Sequence, residues 1–311
     1  MPCYDDLYSA CILVQDICQC LNKFQVDILI VNDNPFRRLD SDLLDKLKAT
    51  VNGSAIRVYI PTLPCNMGQQ AAIGIGVHYI LNKSHQNYDA ILIMDADGED
   101  KVSSILDLIN NFSRNAVTVA TRGTREVGYR FKLGYYIYKK LFRLLTGREI
   151  NFGNFMLVPL SLATQIWSQE SSSIHLAATL IRHRVPMHQV RVDRGRRIDG
   201  KSRMGFSGLI SHGITAATLF QEELIGRMTI LNIAFWAMTL LSIAYLGIKK
   251  LFFATPWGWA TVLSLQLLLF SVTSTLVILT LASILASINK KATNGNSATN
   301  QECIANVIEI G

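Results

Sequence analysis

Asp89-Ala-Ile-Leu-Ile-Met-Asp-Ala-Asp-Gly-Glu-Asp100 is an apolar run that ends in four carboxylates with one glycine among them. Residues 91–94 make a short continuous apolar stretch between polar flanks, the pattern of a strand covered on both faces in an α/β protein. Such sheets bind ligands at the carboxyl ends of their strands. Asp95 and Asp97 are two apart, so in an extended segment both side chains point the same way and can share one divalent cation. Hard oxygen ligands of this kind suit Mg²⁺ or Mn²⁺ bridging a substrate phosphate. The plainer alternative is a strand, an acidic loop, and Asp100 as the N-cap of a helix over residues 102–112.

Working outward, the flanking sequence alternates between helical and extended patterns. Residues 5–24 place Leu7, Cys11, Leu13, Val14, Ile17, Cys18 and Leu21 at helical spacing, and a strand over residues 27–31 follows. That strand ends in Asn32-Asp33-Asn34-Pro35, where the polar cluster and the proline demand a turn, so Asp33 is a second carboxylate at a strand tip. A short helix over 39–47 and a strand over 55–60 come next. Asn66-Met-Gly-Gln then opens a helix to about residue 81, with Ala71, Ala72, Gly74 and Gly76 small enough for close packing on a sheet. Beyond the acidic strand, residues 116–121 are extended, 128–145 form a basic, aromatic helix, 172–183 are helical and 187–192 extended. This alternation predicts a mostly parallel, Rossmann-like sheet.

Half of the 311 residues are hydrophobic, and the net charge is +7. Residues 228–248 and 257–288 contain no Asp, Glu, Lys or Arg, and each exceeds the roughly 20 residues needed to cross a bilayer. They predict a two-span, multi-pass membrane protein, with residues 205–227 as an amphipathic lead-in. The six cysteines show no C-x-x-C spacing and read as free thiols in a reducing compartment. The N-terminus carries acids where a signal peptide needs bases, so the soluble part is expected on the cytoplasmic side.

Between Arg182 and Arg203 lie eight Arg or Lys against two Asp, nearly the whole net charge. No RNA- or DNA-binding motif accompanies that cluster, so nucleic acid is not the expected partner. A phosphate-rich ligand beside a membrane suits it better. The last segment, residues 289–311, is rich in Asn, Thr, Ser and Gly and is expected to be disordered.

Taken in order, these motifs resemble a family-two glycosyltransferase of the GT-A fold, in the polyprenyl-phosphate group that contains dolichol-phosphate mannose synthase and bacterial undecaprenyl-phosphate glucosyltransferases. Pro2-Cys-Tyr-Asp-Asp6 resembles the family's Pro-Val-Tyr-Asn-Glu, which would put Pro2, Tyr4 and Asp5 at the nucleotide. Val31-Asn-Asp-Asn34 resembles Asp-Asp-Gly-Ser, with Asp33 as the retained acid, and Asn66-Met-Gly68 resembles Asn-x-Gly. Asp95-Ala-Asp-Gly-Glu-Asp100 resembles the metal motif, while Leu145-Thr-Gly147 with Asn151-Phe-Gly-Asn-Phe155 resembles the acceptor side. Gly200-Lys-Ser-Arg203 resembles Gly-x-Ser-Lys, which would close Lys201, Ser202 and Arg203 over the phosphates. The resemblance implies a GT-A domain over 1–204, the lead-in over 205–227, a transmembrane hairpin over 228–288 and the tail over 289–311. Related proteins assemble through the soluble domain, which adds a homo-oligomer to the expectations.

The implied activity is inverting transfer of a sugar from a nucleotide-diphosphate sugar to a polyprenyl phosphate, with Asp95 and Asp97 on Mg²⁺ or Mn²⁺. A lipid phosphate is ionised at neutral pH and needs no strong base. A sugar-hydroxyl acceptor, as in cell-surface polysaccharide synthesis, would need one, and Asp100 or Glu99 is the candidate. The sequence departs from the family at Asn32 and at Asn34-Pro35. It departs again at Met1, which stands where the end of the first strand is expected; either the true start lies upstream, or the protein is a truncated form, which raises a third reading, an inactive scaffold with a degenerate fold.

Overall fold

The computed structural model describes residues 1–36, 39–83, 88–122, 140, 142–144, 146–199, 206–252, 258–294 and 304–310. They fall into two compact units. The first comprises Met1–Lys132, Ile150–Leu219 and Ser297–Gly311, and the second Leu133–Glu149 and Phe220–Asn296.

In the first unit the chain runs β1 (Pro2–Cys3), α1 (Leu7–Cys20), β2 (Asp27–Leu29), β3 (Val31–Asn32), α2 (Ser41–Val51), β4 (Arg57–Thr62), α3 (Gln69–Asn82) and β5 (Ala90–Ile93). It continues through α4 (Ser103–Asn110), β6 (Val117–Arg122), β7 (Phe152–Pro159), α5 (Leu160–Trp167), a 3₁₀ turn (Glu170–Ser173), α6 (Leu176–Arg182), β8 (Met187–Val192) and α7 (Phe206–Thr218). The second unit holds α8 (Gln221–Phe252) and α9 (Trp259–Asn294), after which β9 (Asn306–Ile310) returns to the first.

Two sheets form. In one, β1 pairs with β3 and β4 with β2 and β3, all parallel, while β9 adds antiparallel to β4. In the other the order is β5-β7-β6-β8, with β7 antiparallel to both neighbours and β6 parallel to β8. The fold is therefore mixed α/β, with the parallel pairing concentrated in the first sheet. Alternation within the strands separates two cores. Ile91, Ile93, Val117, Val119, Met156 and Val158 pack with Ile73 and Val77 of α3 and Trp167 of α5. Leu157 and Ala120, of opposite parity, pack with α1 and α4 through Val14, Ile17, Ile105 and Leu108.

Three local expectations need correction. The strand read as ending before Pro61 runs through it to Thr62. In the parallel ladder Ile30 N donates to Tyr59 O, so the next donor to Ile30 would be residue 61, and proline has no N–H. This explains why β2 and β3 are separated at Ile30. Asp100 is not the cap of α4, whose N-cap position is Val102. Finally, the segment expected to be a disordered tail continues α9 to Asn294 and ends in β9, which pairs with β4 from Val58↔Ile310 to Thr62↔Asn306.

The helices α8 and α9 are both long and apolar enough to cross a membrane, over Gln221–Phe252 and Trp259–Ile284. Their contact is polar at its centre: Asn232 Nδ2 donates to Ser274 Oγ at 2.6 Å and Trp236 Nε1 to Thr275 Oγ1 at 2.9 Å, and Thr239 and Ser271 hydroxyls lie 3.1 Å apart. Leu231, Leu241, Leu265 and Leu269 are exposed. Most of the basic, aromatic stretch over 128–145 lies outside the described residues.

Candidate functional site

The strand tips of β1, β3 and β5 and the start of α3 are tied by hydrogen bonds among the motif residues. Asn34 Nδ2 donates to Asp5 Oδ1 at 2.9 Å, joining the segment after β1 to the segment after β3. Pro2 is held in β1 opposite Val31, and Tyr4 is exposed beside it. Asp33, 4% exposed, accepts from Met67 N at 2.7 Å and Gly68 N at 2.9 Å. Burial pushes its carboxyl above the ordinary range, and those two N–H groups oppose the shift. Asn66 Oδ1 also accepts from Gly68 N, and Gly68 adopts φ +84°, a conformation that favours glycine. So Asp33, Asn66 and Gly68 together build the turn that launches α3.

The next residue, Gln69, carries the network to the acidic tip, its Nε2 donating to Asp95 Oδ1 at 2.7 Å. Beyond β5 the chain turns at Ala96 and Asp97, so these carboxylates are set by a turn and not by strand alternation. Asp95 faces Gln69, whereas Asp97 faces the basic loop that follows β8. Asp97 Oδ1 accepts from Glu99 N at 2.9 Å and Oδ2 from Arg197 Nη2 at 2.6 Å. Glu99 is ion-paired with Arg194, and Asp100 Oδ2 accepts from Asp95 N at 3.0 Å.

Backbone bonds lock the loop onto the acids: Gly195 N donates to Glu99 O and Ile198 N to Asp97 O. Glycine is required twice in that contact. A Cβ on Gly98, at φ +85°, would lie 2.6 Å from Ile198, and one on Gly195 would lie 2.5 Å from the Gly98 carbonyl oxygen.

Sequence reasoning named Asp5, Asp33, Asn66, Gly68, Asp95, Asp97 and Asp100, and the structure brings them into one connected array. It missed Gln69, Arg194 and Arg197. The two arginines belong to a charge run that could be counted from the sequence but not paired. Lys201, Ser202 and Arg203 lie outside the described residues.

Among the described residues no three His, Cys, Asp or Glu side chains converge as a ready-made metal cage. Mg²⁺ typically takes only one or two carboxylates and completes its shell with substrate phosphates and water. Asp95 and Asp97 are both engaged here, Asp95 by Gln69 and Asp97 by Arg197, on different sides of the turn.

No protein-family model matches the chain. The chain is 25% identical over 246 residues to YkoT, an uncharacterized glycosyltransferase of Bacillus subtilis (strain 168); the match spans 76% of this chain and 70% of that protein. That likeness supports glycosyl transfer in general as the class of chemistry.

Proposed function

We propose that this chain is a membrane-anchored, inverting glycosyltransferase of the GT-A type, moving a sugar from a nucleotide-diphosphate sugar to a polyprenyl phosphate. The observation that carries the reading is the linked array of Asp5, Asp33, Asp95 and Asp97 at the strand tips, in a chain similar to a glycosyltransferase. Asp5 and Asp33 lie on the side proposed for the nucleotide. Mg²⁺ or Mn²⁺ on Asp95 and Asp97 would neutralise the diphosphate as it leaves.

Arg197 and Arg194 are placed to exchange their carboxylate partners for phosphate oxygens, which suit the same planar fork. Lys201, Ser202 and Arg203, which follow in sequence, would add donors. An acceptor phosphate oxygen attacks the anomeric carbon while the bond from that carbon to the diphosphate breaks, releasing the nucleoside diphosphate with inversion. No proton has to be removed from such an acceptor.

The test is a panel of nucleotide sugars with undecaprenyl or dolichyl phosphate, Mg²⁺ or Mn²⁺, and the full-length protein in detergent. An acid-labile, organic-soluble radiolabelled product is expected. Label appearing only in water-soluble oligosaccharide would move the acceptor to a hydroxyl and bring Asp100 or Glu99 forward as base. No transfer from any donor would favour an inactive scaffold.

A further inference from the structure

One side of α9 packs on α8: Ala260, Leu267, Ser271, Ser274, Thr275 and Ile278 are buried or half-buried, and the three hydroxyl residues meet Asn232, Trp236 and Thr239. At about 100° per residue, Gln266 falls about 140° round the helix from Ser271. Its side chain is exposed, and among the described residues its amide makes no hydrogen bond.

The apolar span begins at Trp259, so Gln266 lies about 10 Å along it. The 26 residues to Ile284 are about 39 Å long against a hydrocarbon layer about 30 Å thick, which sets that amide roughly 6 Å inside the hydrocarbon when the span is centred. Two N–H donors and a carbonyl at that depth have no water to bond, and an unsatisfied polar group in hydrocarbon is costly. Threonine escapes by bonding its own helix, as Thr273 does to Phe270 O at 3.0 Å and Thr280 to Val277 O at 2.8 Å. A primary amide is best met by a second one, which supplies a donor and an acceptor together.

Thr273 and Thr280 follow Gln266 at seven-residue intervals and are both exposed, so the three form a stripe with the period of a left-handed helix pair. Copies of one chain insert in the same direction. A two-fold axis along the membrane normal therefore brings the stripe against itself, parallel and at equal depth. We propose that α9 pairs along this stripe with α9 of a second copy, each Gln266 amide donating one N–H to the carbonyl oxygen of the other. The pairing rests on the reading that α8 and α9 span a bilayer and is separate from any assembly through the soluble part. Polar side chains hold helices together in lipid in this way, and one at such a position also fixes the register.

The test is disulfide cross-linking of the full-length protein in isolated membranes with copper phenanthroline, bands given by the native cysteines being subtracted. Thr273→Cys is compared with Val272→Cys, which lies at nearly the same depth but about 100° round the helix. Thr273→Cys is expected to give a species of twice the 34.7 kDa chain mass. Its yield is expected to exceed that of Val272→Cys at least about 10-fold, to fall at least about 5-fold when Gln266→Leu is added, and to survive Gln266→Asn, which keeps an amide in the seam. Equal yields from the two cysteines, or a yield unmoved by Gln266→Leu, would overturn the pairing. A cross-linked product of mainly another mass would place a different protein on this face and overturn the second copy as its occupant. Protein that resists an alkaline carbonate wash yet gives no dimer counts against the pairing alone, whereas protein released by that wash overturns the bilayer reading and the pairing with it.

Discussion

Asp97 and Arg197 are 11% and 18% exposed at their side chains, so each is the main neutralising charge of a nearly buried partner. Removing one member of such a pair leaves an uncompensated charge, at a cost of about 3–5 kcal/mol when burial is complete and less here. Asp97→Asn keeps a side-chain oxygen for Glu99 N but loses the charge. It is expected to lower Tm by a few degrees and to reduce sugar transfer at least about 100-fold, while Asp97→Asn/Arg197→Gln regains most of the stability and none of the activity. Thermal melts beside a radiolabelled-transfer assay check this, and wild-type transfer by Asp97→Asn would remove Asp97 from the site. A second residue-scale expectation concerns His175, which is 5% exposed, stacks on His212 at 4.3 Å and accepts from Ala178 N to cap α6. Burial, reinforced by His212, pushes its imidazole down to about 4. The unfolded chain takes up that proton near pH 6.5, so stability is fully present above 6.5 and falls as pH drops towards 4, by up to about 3 kcal/mol. His175→Asn, which retains a capping oxygen, is expected to flatten that part of a Tm-versus-pH curve. At this scale the sequence displayed the acids, because a carboxylate after an apolar run is a local pattern. It could not display Arg197, whose meaning comes from a partner 100 residues away.

The elements were legible to the extent that their signals are local. The short helix expected over 39–47 runs over Ser41–Val51, behind an Asp40 cap that the sequence reading places inside the helix, whereas the apolar runs of β2, β5 and β6 mark themselves. Pairing partners do not, because register is settled between segments distant in sequence; hence β5 was expected in a parallel sheet and is antiparallel to β7. The β9 strand was missed for a related reason. It is five residues long, follows a polar stretch, and gains its stability from β4, whose edge it covers. Ile310 is 4% exposed there, packed in the core containing Val58 and Ile60. Ile310→Asp is therefore expected to release the strand, costing about 2–4 kcal/mol and baring an unpaired edge that invites aggregation. Faster proteolysis after residue 294, with sedimentation showing larger species, would register the loss; a variant as stable and monodisperse as wild type would mean that β9 adds little to β4.

At the scale of the whole molecule, the composition already separated a soluble α/β part from a hairpin of two apolar helices, because charge is absent from long windows and that absence survives any folding. What the sequence could not order was the hairpin's internal register. Between helices in lipid the hydrophobic effect offers no preference, so small and polar side chains decide which turns face one another. Here Asn232, Trp236 and Thr239 of α8 meet Ser274, Thr275 and Ser271 of α9 over two turns. Such bonds contribute about 0.6–1.7 kcal/mol each in membranes, so one substitution weakens the pair and several unzip it. If α8 and α9 span a bilayer, the full-length protein stays in the membrane fraction through an alkaline carbonate wash and leaves only with detergent. Asn232→Leu/Thr275→Val is expected to stay in that fraction but to lose cross-linking between cysteines placed at Phe235 and Phe270, whose rings lie 5.1 Å apart. Release by carbonate would instead place the hairpin outside the bilayer and take with it the argument that the acidic array works beside a lipid phosphate.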